Sequence, residues 1–88
     1  MTARTTASMW ETRARPGAAD ALVNWVFDKA LPELRDAGGL ERTEVFRSGD
    51  ERVLVITWWS GDPVALPEPP ADLVARPPHT WEFEQVHR

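Results

Sequence analysis

Residues 52–59 constrain the fold of this chain more than any other segment. They read RVLVITWW, a run rich in β-branched and aromatic residues that is apolar on both faces of a strand. Such a strand belongs in the middle of a sheet, and neither of its faces can be left in water. The sequence therefore predicts a sheet that is covered on both sides.

A strand and an amphipathic helix are predicted before this segment. Residues 6–14 form the strand, which ends at the turn signal Arg15-Pro16-Gly17. Residues 18–30 form the helix, which should kink or restart at Pro32 and stop at Gly38-Gly39. The buried stripe of the helix is expected to consist of Val23, Val26, Phe27, Ala30, Leu31 and Leu34.

Two further strands and a proline-rich connector complete the chain. Residues 40–47 should pair with residues 52–59 through a hairpin turn at Ser48-Gly49-Asp50. Residues 79–86 alternate in polarity and read as the last strand. Six of the eight prolines lie in residues 63–78, which excludes a long helix or a central strand there and leaves room for one helical turn. We expect an ordered, packed connector.

The order of these elements predicts an α+β sandwich of ferredoxin-like topology, βαββ(α)β, with a degenerate second crossover. Residues 1–88 would form a single domain. Right-handed crossovers would place the helix and the connector on the same face of the sheet. The opposite face would be bare, and a second copy of the same sheet is its simplest cover. The sequence therefore predicts a homodimer that packs through this face.

Composition excludes several functional classes. The chain has 88 residues and no cysteine, so it offers neither a disulfide framework nor a thiolate metal site. Ten basic and fourteen acidic residues give a net charge of −4, which argues against nucleic acid and an anionic membrane as partners. Neither a long apolar run nor a signal-type segment is present. We expect a soluble, cytoplasmic protein without a metal or a cofactor.

The candidate site residues are four tryptophans and one histidine. Trp58 and Trp59 are neighbours on a strand and must point to opposite faces, so one should lie under the helix and the other should face a pocket; both are either core tryptophans or, for Trp59, a ligand contact. Trp10 and Trp81 lie on strands that should be adjacent, and they are either core aromatics or ligand contacts. Histidine ordinarily titrates near neutral pH, which makes His79 a candidate general base or a plain exposed side chain.

Several of these segments together resemble the dimeric α/β-barrel superfamily, and within it the antibiotic-biosynthesis monooxygenase branch. They are the strand that ends in Pro16-Gly17, the helix, the hairpin VFRSGD at residues 45–50 and the segment TWWSG at residues 57–61. The resemblance implies a homodimer in which two sheets form a barrel, and it places Trp59 where relatives put a tryptophan that lines the ligand pocket. It also implies oxygenation of an aromatic substrate without a metal or a cofactor.

Two functions therefore remain open at the level of sequence. The first is a cofactor-independent monooxygenase that acts on an aromatic or quinol-like molecule, with His79 as the base and Trp59 packing the substrate. The second is a non-catalytic dimeric barrel that binds a small hydrophobic ligand or serves as an accessory module. A proton acceptor inside the pocket separates the two, because oxygenase chemistry on such a substrate needs one and binding does not.

Overall fold

The structure, a computed structural model, describes residues 4–88. Four strands and an interrupted helix follow one another along the chain: β1 (Thr5–Arg13), α1 (Ala19–Trp25), a π-helical turn (Val26–Ala30), α2 (Leu31–Asp36), β2 (Leu40–Arg47), β3 (Arg52–Ser60) and β4 (His79–Glu84). The predicted succession of elements is confirmed. Within residues 4–88, no helix is both long and apolar enough to cross a membrane.

The four strands form one antiparallel sheet in the order β2-β3-β1-β4. The apolar strand β3 is central, as predicted, and it pairs with β1 on one side and with β2 on the other. The strands β2 and β4 form the edges. This small α+β domain is compatible with the predicted ferredoxin-like topology.

The core lies between the helix and one face of the sheet, which we call the inner face. Side chains alternate along the central strands, so every second residue of β1 and β3 is buried there. The sheet contributes Thr6, Ser8, Trp10, Thr12, Val53, Val55, Thr57 and Trp59. The helix contributes Leu22, Val26, Ala30, Leu31 and Leu34. The helix thus covers one apolar face of β3 and leaves the other uncovered.

A π-helical turn accommodates Pro32. The Leu31 backbone N–H donates to the carbonyl oxygen of Val26, five residues earlier, instead of four. The turn lies directly before Pro32, where an unbroken α-helix would set the proline ring against the carbonyl of Asp28. The predicted interruption at Pro32 is confirmed, and the helix stops at Asp36, before Gly38 and Gly39, whose φ angles are 81° and 84°.

The π-helical turn also shifts the buried stripe of the helix. The wide turn places Leu31 five residues after Val26 on the buried side, and both side chains are fully buried. Phe27 is 50% exposed, so its predicted place in the buried stripe was wrong. The prediction assumed a regular spacing of three and four residues throughout, which an inserted π-turn does not keep.

The connector between β3 and β4 is packed and ordered. The Arg15 backbone N–H donates to the Leu73 carbonyl at 3.0 Å, and the Ala75 N–H donates to the Arg13 carbonyl at 2.8 Å. These bonds join the connector to the end of β1, and Leu66, Leu73 and Val74 pack against the core. The predicted helical turn at residues 70–75 is reduced to a turn closed by the Leu73 N–H and the Pro70 carbonyl.

The altered stripe predicts very different costs for two substitutions on the helix. Leu34→Ala should lower the free energy of unfolding by about 2–5 kcal/mol, because Leu34 is fully buried and leaves a cavity. Phe27→Ala should cost less than about 1 kcal/mol, because half of the ring already meets solvent. Urea denaturation followed by tryptophan fluorescence measures both values. Equal losses would contradict the register of the helix.

Candidate functional site

The face of the sheet opposite the helix is the candidate site, and we call it the open face. Strand pairing arranges its side chains in three rows that run across all four strands. The rows, each written in the order β2, β3, β1, β4, are Phe46-Leu54-Glu11-His79, Glu44-Ile56-Met9-Trp81 and Arg42-Trp58-Ala7-Phe83. The rows are apolar in most positions, as the two-faced apolar character of β3 predicts.

Large apolar side chains on the open face are accessible. Phe46, Trp81 and Phe83 have exposed fractions of 48%, 48% and 53%. Trp58 and Ile56, on the central strand β3, are half-buried. The apolar side chains are contiguous because they belong to neighbouring strands in register. An antiparallel sheet that faced water on this side would carry polar residues in these positions.

The charged side chains on the open face are engaged with one another or with a neighbouring aromatic ring. The guanidinium of Arg42 lies 4.7 Å from the centroid of the Trp58 ring, and it donates to Glu44 at 2.7 Å. Arg76, from the end of the connector, donates to both carboxylate oxygens of Glu11 at 2.7 and 2.8 Å. The open face is therefore mainly apolar, and its carboxylates are each paired with an arginine.

His79 lies at the edge of the open face and is exposed. Its imidazole stacks on the indole of Trp81, with 5.8 Å between the ring centroids and 28° between the planes. Across the strand pair it stands opposite Glu11. Within residues 4–88 no group of three or more histidine, aspartate or glutamate side chains is placed to hold a metal ion.

The four candidate tryptophans do not form one site. Trp58 and Trp81 lie on the open face, in adjacent rows. Trp10 is 3% exposed and packs against Trp25 of the helix at 6.3 Å between centroids. Trp59 has no exposed surface, and its indole N–H donates to the Thr57 hydroxyl at 2.8 Å. Trp58 and Trp59 point to opposite faces of the sheet, as predicted, and Trp59 is the one under the helix.

The position of Trp59 corrects the expectation that it lines a ligand pocket. Residues of β3 with odd numbers face the helix, and so Trp59 belongs to the core together with Trp10. Trp58 is the β3 tryptophan that a ligand on the open face could touch. His79 also lies on that face, and the sheet separates it from Trp59.

Sequence reasoning did not identify Phe46 and Glu11 as side chains of the open face. A depression of about 230 Å³ at one end of this face is lined by Glu11, Phe46, Arg47, Ser48, Arg52 and Leu54. Phe46 and Glu11 meet there because both are in register with Leu54. Polarity does not alternate along β2, where Val45 and Phe46 are adjacent, and so the strand carries no local signal for Phe46. The Arg76 partner of Glu11 is 65 residues away in sequence and leaves no local signal.

Comparisons with known proteins bear on the fold alone. No family model matches the sequence, and no curated protein matches it. The crystal structure of NE2512, a protein of unknown function from Nitrosomonas europaea, is similar with a TM-score of 0.71 and 15% identity, over 97% of this chain and 92% of that one. The crystal structure of SO0527 from Shewanella oneidensis is similar with a TM-score of 0.66 and 17% identity, over 96% and 93%. The chain therefore has a fold that is also found in these two proteins.

Proposed function

We propose that the protein is a homodimer whose subunits pack through their open faces, and that the space between the sheets binds a small hydrophobic or aromatic molecule. The observation that carries this proposal is the exposure of Phe46, Trp81 and Phe83 on one continuous apolar face. It agrees with the resemblance to the dimeric α/β barrels, whose ligand space lies within or beside the paired sheets.

Burial energetics favour a second copy as the cover. Each Å² of apolar surface removed from water contributes about 25 cal/mol, and one large aromatic side chain can bury about 150–250 Å². A two-fold axis through the open face would bury the same three aromatic side chains on both subunits. The compensated pairs Arg42–Glu44 and Arg76–Glu11 lower the cost of covering the charged positions.

The unpaired sheet edges also fit this assembly. The strands β2 and β4 each have one free edge within residues 4–88, and β4 is exposed along its whole length. Two sheets that pack face to face lie about 10 Å apart, and their edges can approach one another to close a barrel. The side chains of Trp58 and Trp81 would then line the enclosed space and offer aromatic surfaces to a planar ligand.

A cofactor-independent monooxygenase is the second candidate, and the position of His79 is the observation that favours it. The imidazole shares the open face with Trp58 and Trp81, where it could take a proton from an aromatic or quinol-like substrate. Trp59 would have no part in this reaction because it is buried in the core. Binding without catalysis is the better supported function, since the two carboxylates on the face, Glu11 and Glu44, are already paired with arginines.

A charge in the middle of the open face should separate the subunits. Ile56→Arg places an unpaired cation in the centre of the proposed interface, where it would lose its hydration, and we expect sedimentation equilibrium to give a monomer. The control is Phe27→Arg on the helix, which replaces an apolar side chain that is 50% exposed on the helix side of the sheet and should leave a dimer. A wild-type monomer, or a dimer that survives Ile56→Arg, would contradict the proposal.

Ligand binding should depend on the tryptophans of the open face. In a titration with 2-naphthol followed by tryptophan fluorescence, Trp58→Phe and Trp81→Phe should each weaken binding by roughly fivefold to tenfold, because a smaller ring offers less stacking surface. Trp25→Phe, on the helix, is the control and should bind as the wild type does. Equal affinities in all four proteins would exclude the open face as the binding site.

An oxygen-uptake measurement distinguishes ligand binding from catalysis. If the protein is an oxygenase, a naphthoquinol should consume oxygen faster than it does in buffer alone, with one oxygen atom entering the ring of the quinone product and the other released as water. His79→Gln should slow this reaction by about 100-fold without weakening binding. Binding without oxygen uptake would support the ligand-binding function and contradict the monooxygenase function.

A further inference from the structure

Two arginines lie side by side at one end of the open face. Arg52, the first residue of β3, is directly opposite Arg13, the last residue of β1. Each lies two positions along its strand from a residue of the open face, Leu54 on β3 and Glu11 on β1, and so belongs to the same face. Like charges in directly opposite positions of a strand pair are unfavourable unless an anion compensates them. This end of the open face therefore favours negative charge.

The hairpin turn supplies one carboxylate to this pair. Asp50 accepts from Arg52 Nε at 3.2 Å and from Arg13 at 3.3 Å. The Ser48 hydroxyl and, less strongly, Arg52 donate to Asp50 and hold the pKa of that carboxyl below its ordinary value, so it is ionised at neutral pH. Asp50 thus holds both guanidinium groups near each other, but its single charge does not neutralise two arginines.

The neighbouring carboxylates do not compensate the second arginine. Both carboxylate oxygens of Glu11 accept from Arg76, so this pair is neutral by itself. Glu51 is bound to the turn after β1, where its Oε1 atom accepts from the Gly17 N–H at 3.2 Å. Three arginines and two carboxylates therefore share this end of the open face, which leaves one positive charge in excess.

Arg52 is the arginine that a ligand on the open face can reach. It lines the depression of about 230 Å³ together with the apolar side chains of Phe46 and Leu54. Its side chain is 51% exposed, and within residues 4–88 it donates through Nε alone, which leaves Nη1 and Nη2 free. Arg47 also lines the depression, but it pairs with Asp20 of α1 on the helix side of the sheet. The depression thus joins an apolar surface to an accessible guanidinium.

We propose that the ligand of the open face is an aromatic carboxylate, which accepts hydrogen bonds from Nη1 and Nη2 of Arg52. A guanidinium matches the two oxygens of a carboxylate, and its hydrogen bonds to a charged acceptor are stronger than those to a neutral one. The aromatic rings would lie on Phe46 and Leu54 and extend toward Ile56 in the next row. The carboxylate site rests on the ligand-binding function proposed above and specifies the chemical class of that ligand.

The charge of the whole chain makes this preference specific to Arg52. A net charge of −4 repels anions at long range, so it does not by itself favour a carboxylate over a neutral molecule. Tighter binding of the anion would therefore require a local cation. Arg52 supplies that cation at the edge of an apolar surface.

Equilibrium dialysis at pH 7 and constant ionic strength tests the carboxylate site by comparing 2-naphthoate with 2-naphthol, because at this pH the carboxylic acid is ionised and the phenol is neutral. The wild type should bind 2-naphthoate about fivefold more tightly than 2-naphthol. Arg52→Gln should remove this difference and leave the affinity for 2-naphthol unchanged. Arg4→Gln is the matched control and should keep the difference, since Arg4 also pairs with an exposed aspartate, Asp62, but lies before β1, at the opposite end of that strand.

The two compounds distinguish a failure of the carboxylate site from a failure of the proposed function. Binding of 2-naphthol without tighter binding of 2-naphthoate, or an undiminished preference for 2-naphthoate in a folded Arg52 variant, would overturn the carboxylate site alone. No binding of either compound would overturn both proposals. If Arg52→Gln does not fold, Arg52→Lys takes its place, because lysine keeps the charge without the paired nitrogens and should bind 2-naphthoate less tightly than the wild type does.

Discussion

The rest of the structure depends on burying both faces of β3 (Arg52–Ser60). On the inner face, Val53, Val55 and Trp59 lie fully buried beneath the helix. On the open face, Ile56 and Trp58 lie between their partners on β1 and β2 and are half-buried. Within residues 4–88, one interrupted helix covers the four-stranded sheet. The same chemistry that fixes the core therefore leaves an apolar surface for another molecule.

The proline-rich connector determines how far the inner face is covered. A second helix would pack over β4, whereas the connector follows the end of β1 through backbone hydrogen bonds to Arg13 and Arg15. Glu82 and Glu84 of β4 consequently stay exposed on the inner side, and Glu84 pairs with Arg4. Arg76 ends the connector and binds Glu11, which fixes the start of β4 and neutralises the carboxylate on the open face.

Much of this fold could be predicted from the sequence because its signals are local. The apolar run of β3, the glycines after the helix and the hairpin turn each act through neighbouring residues, and the interruption at Pro32 follows from its missing N–H. The place of Phe27 could not be predicted, because a π-helical turn changes the helical spacing without leaving a clear mark in the sequence.

The candidate sites were less predictable than the fold, because they depend on contacts between residues that are distant in sequence. Strand alternation required Trp58 and Trp59 to face opposite ways, but the choice between them depends on which face the helix covers. The Glu11–Arg76 pair and the contact of Glu51 with Gly17 join residues that are 65 and 34 positions apart. Tertiary structure alone brings such pairs together, and so pattern and spacing do not reveal them.

Isotope-filtered NMR on a mixture of labelled and unlabelled protein tests the central claim most directly. The experiment detects contacts between different molecules, and we expect them between the methyl groups of Ile56 or Met9 and the aromatic rings of Trp81 or Phe83. Such contacts would place two open faces against each other. Intermolecular contacts confined to the helix side, for example at Phe27, or a complete lack of intermolecular contacts, would contradict the account.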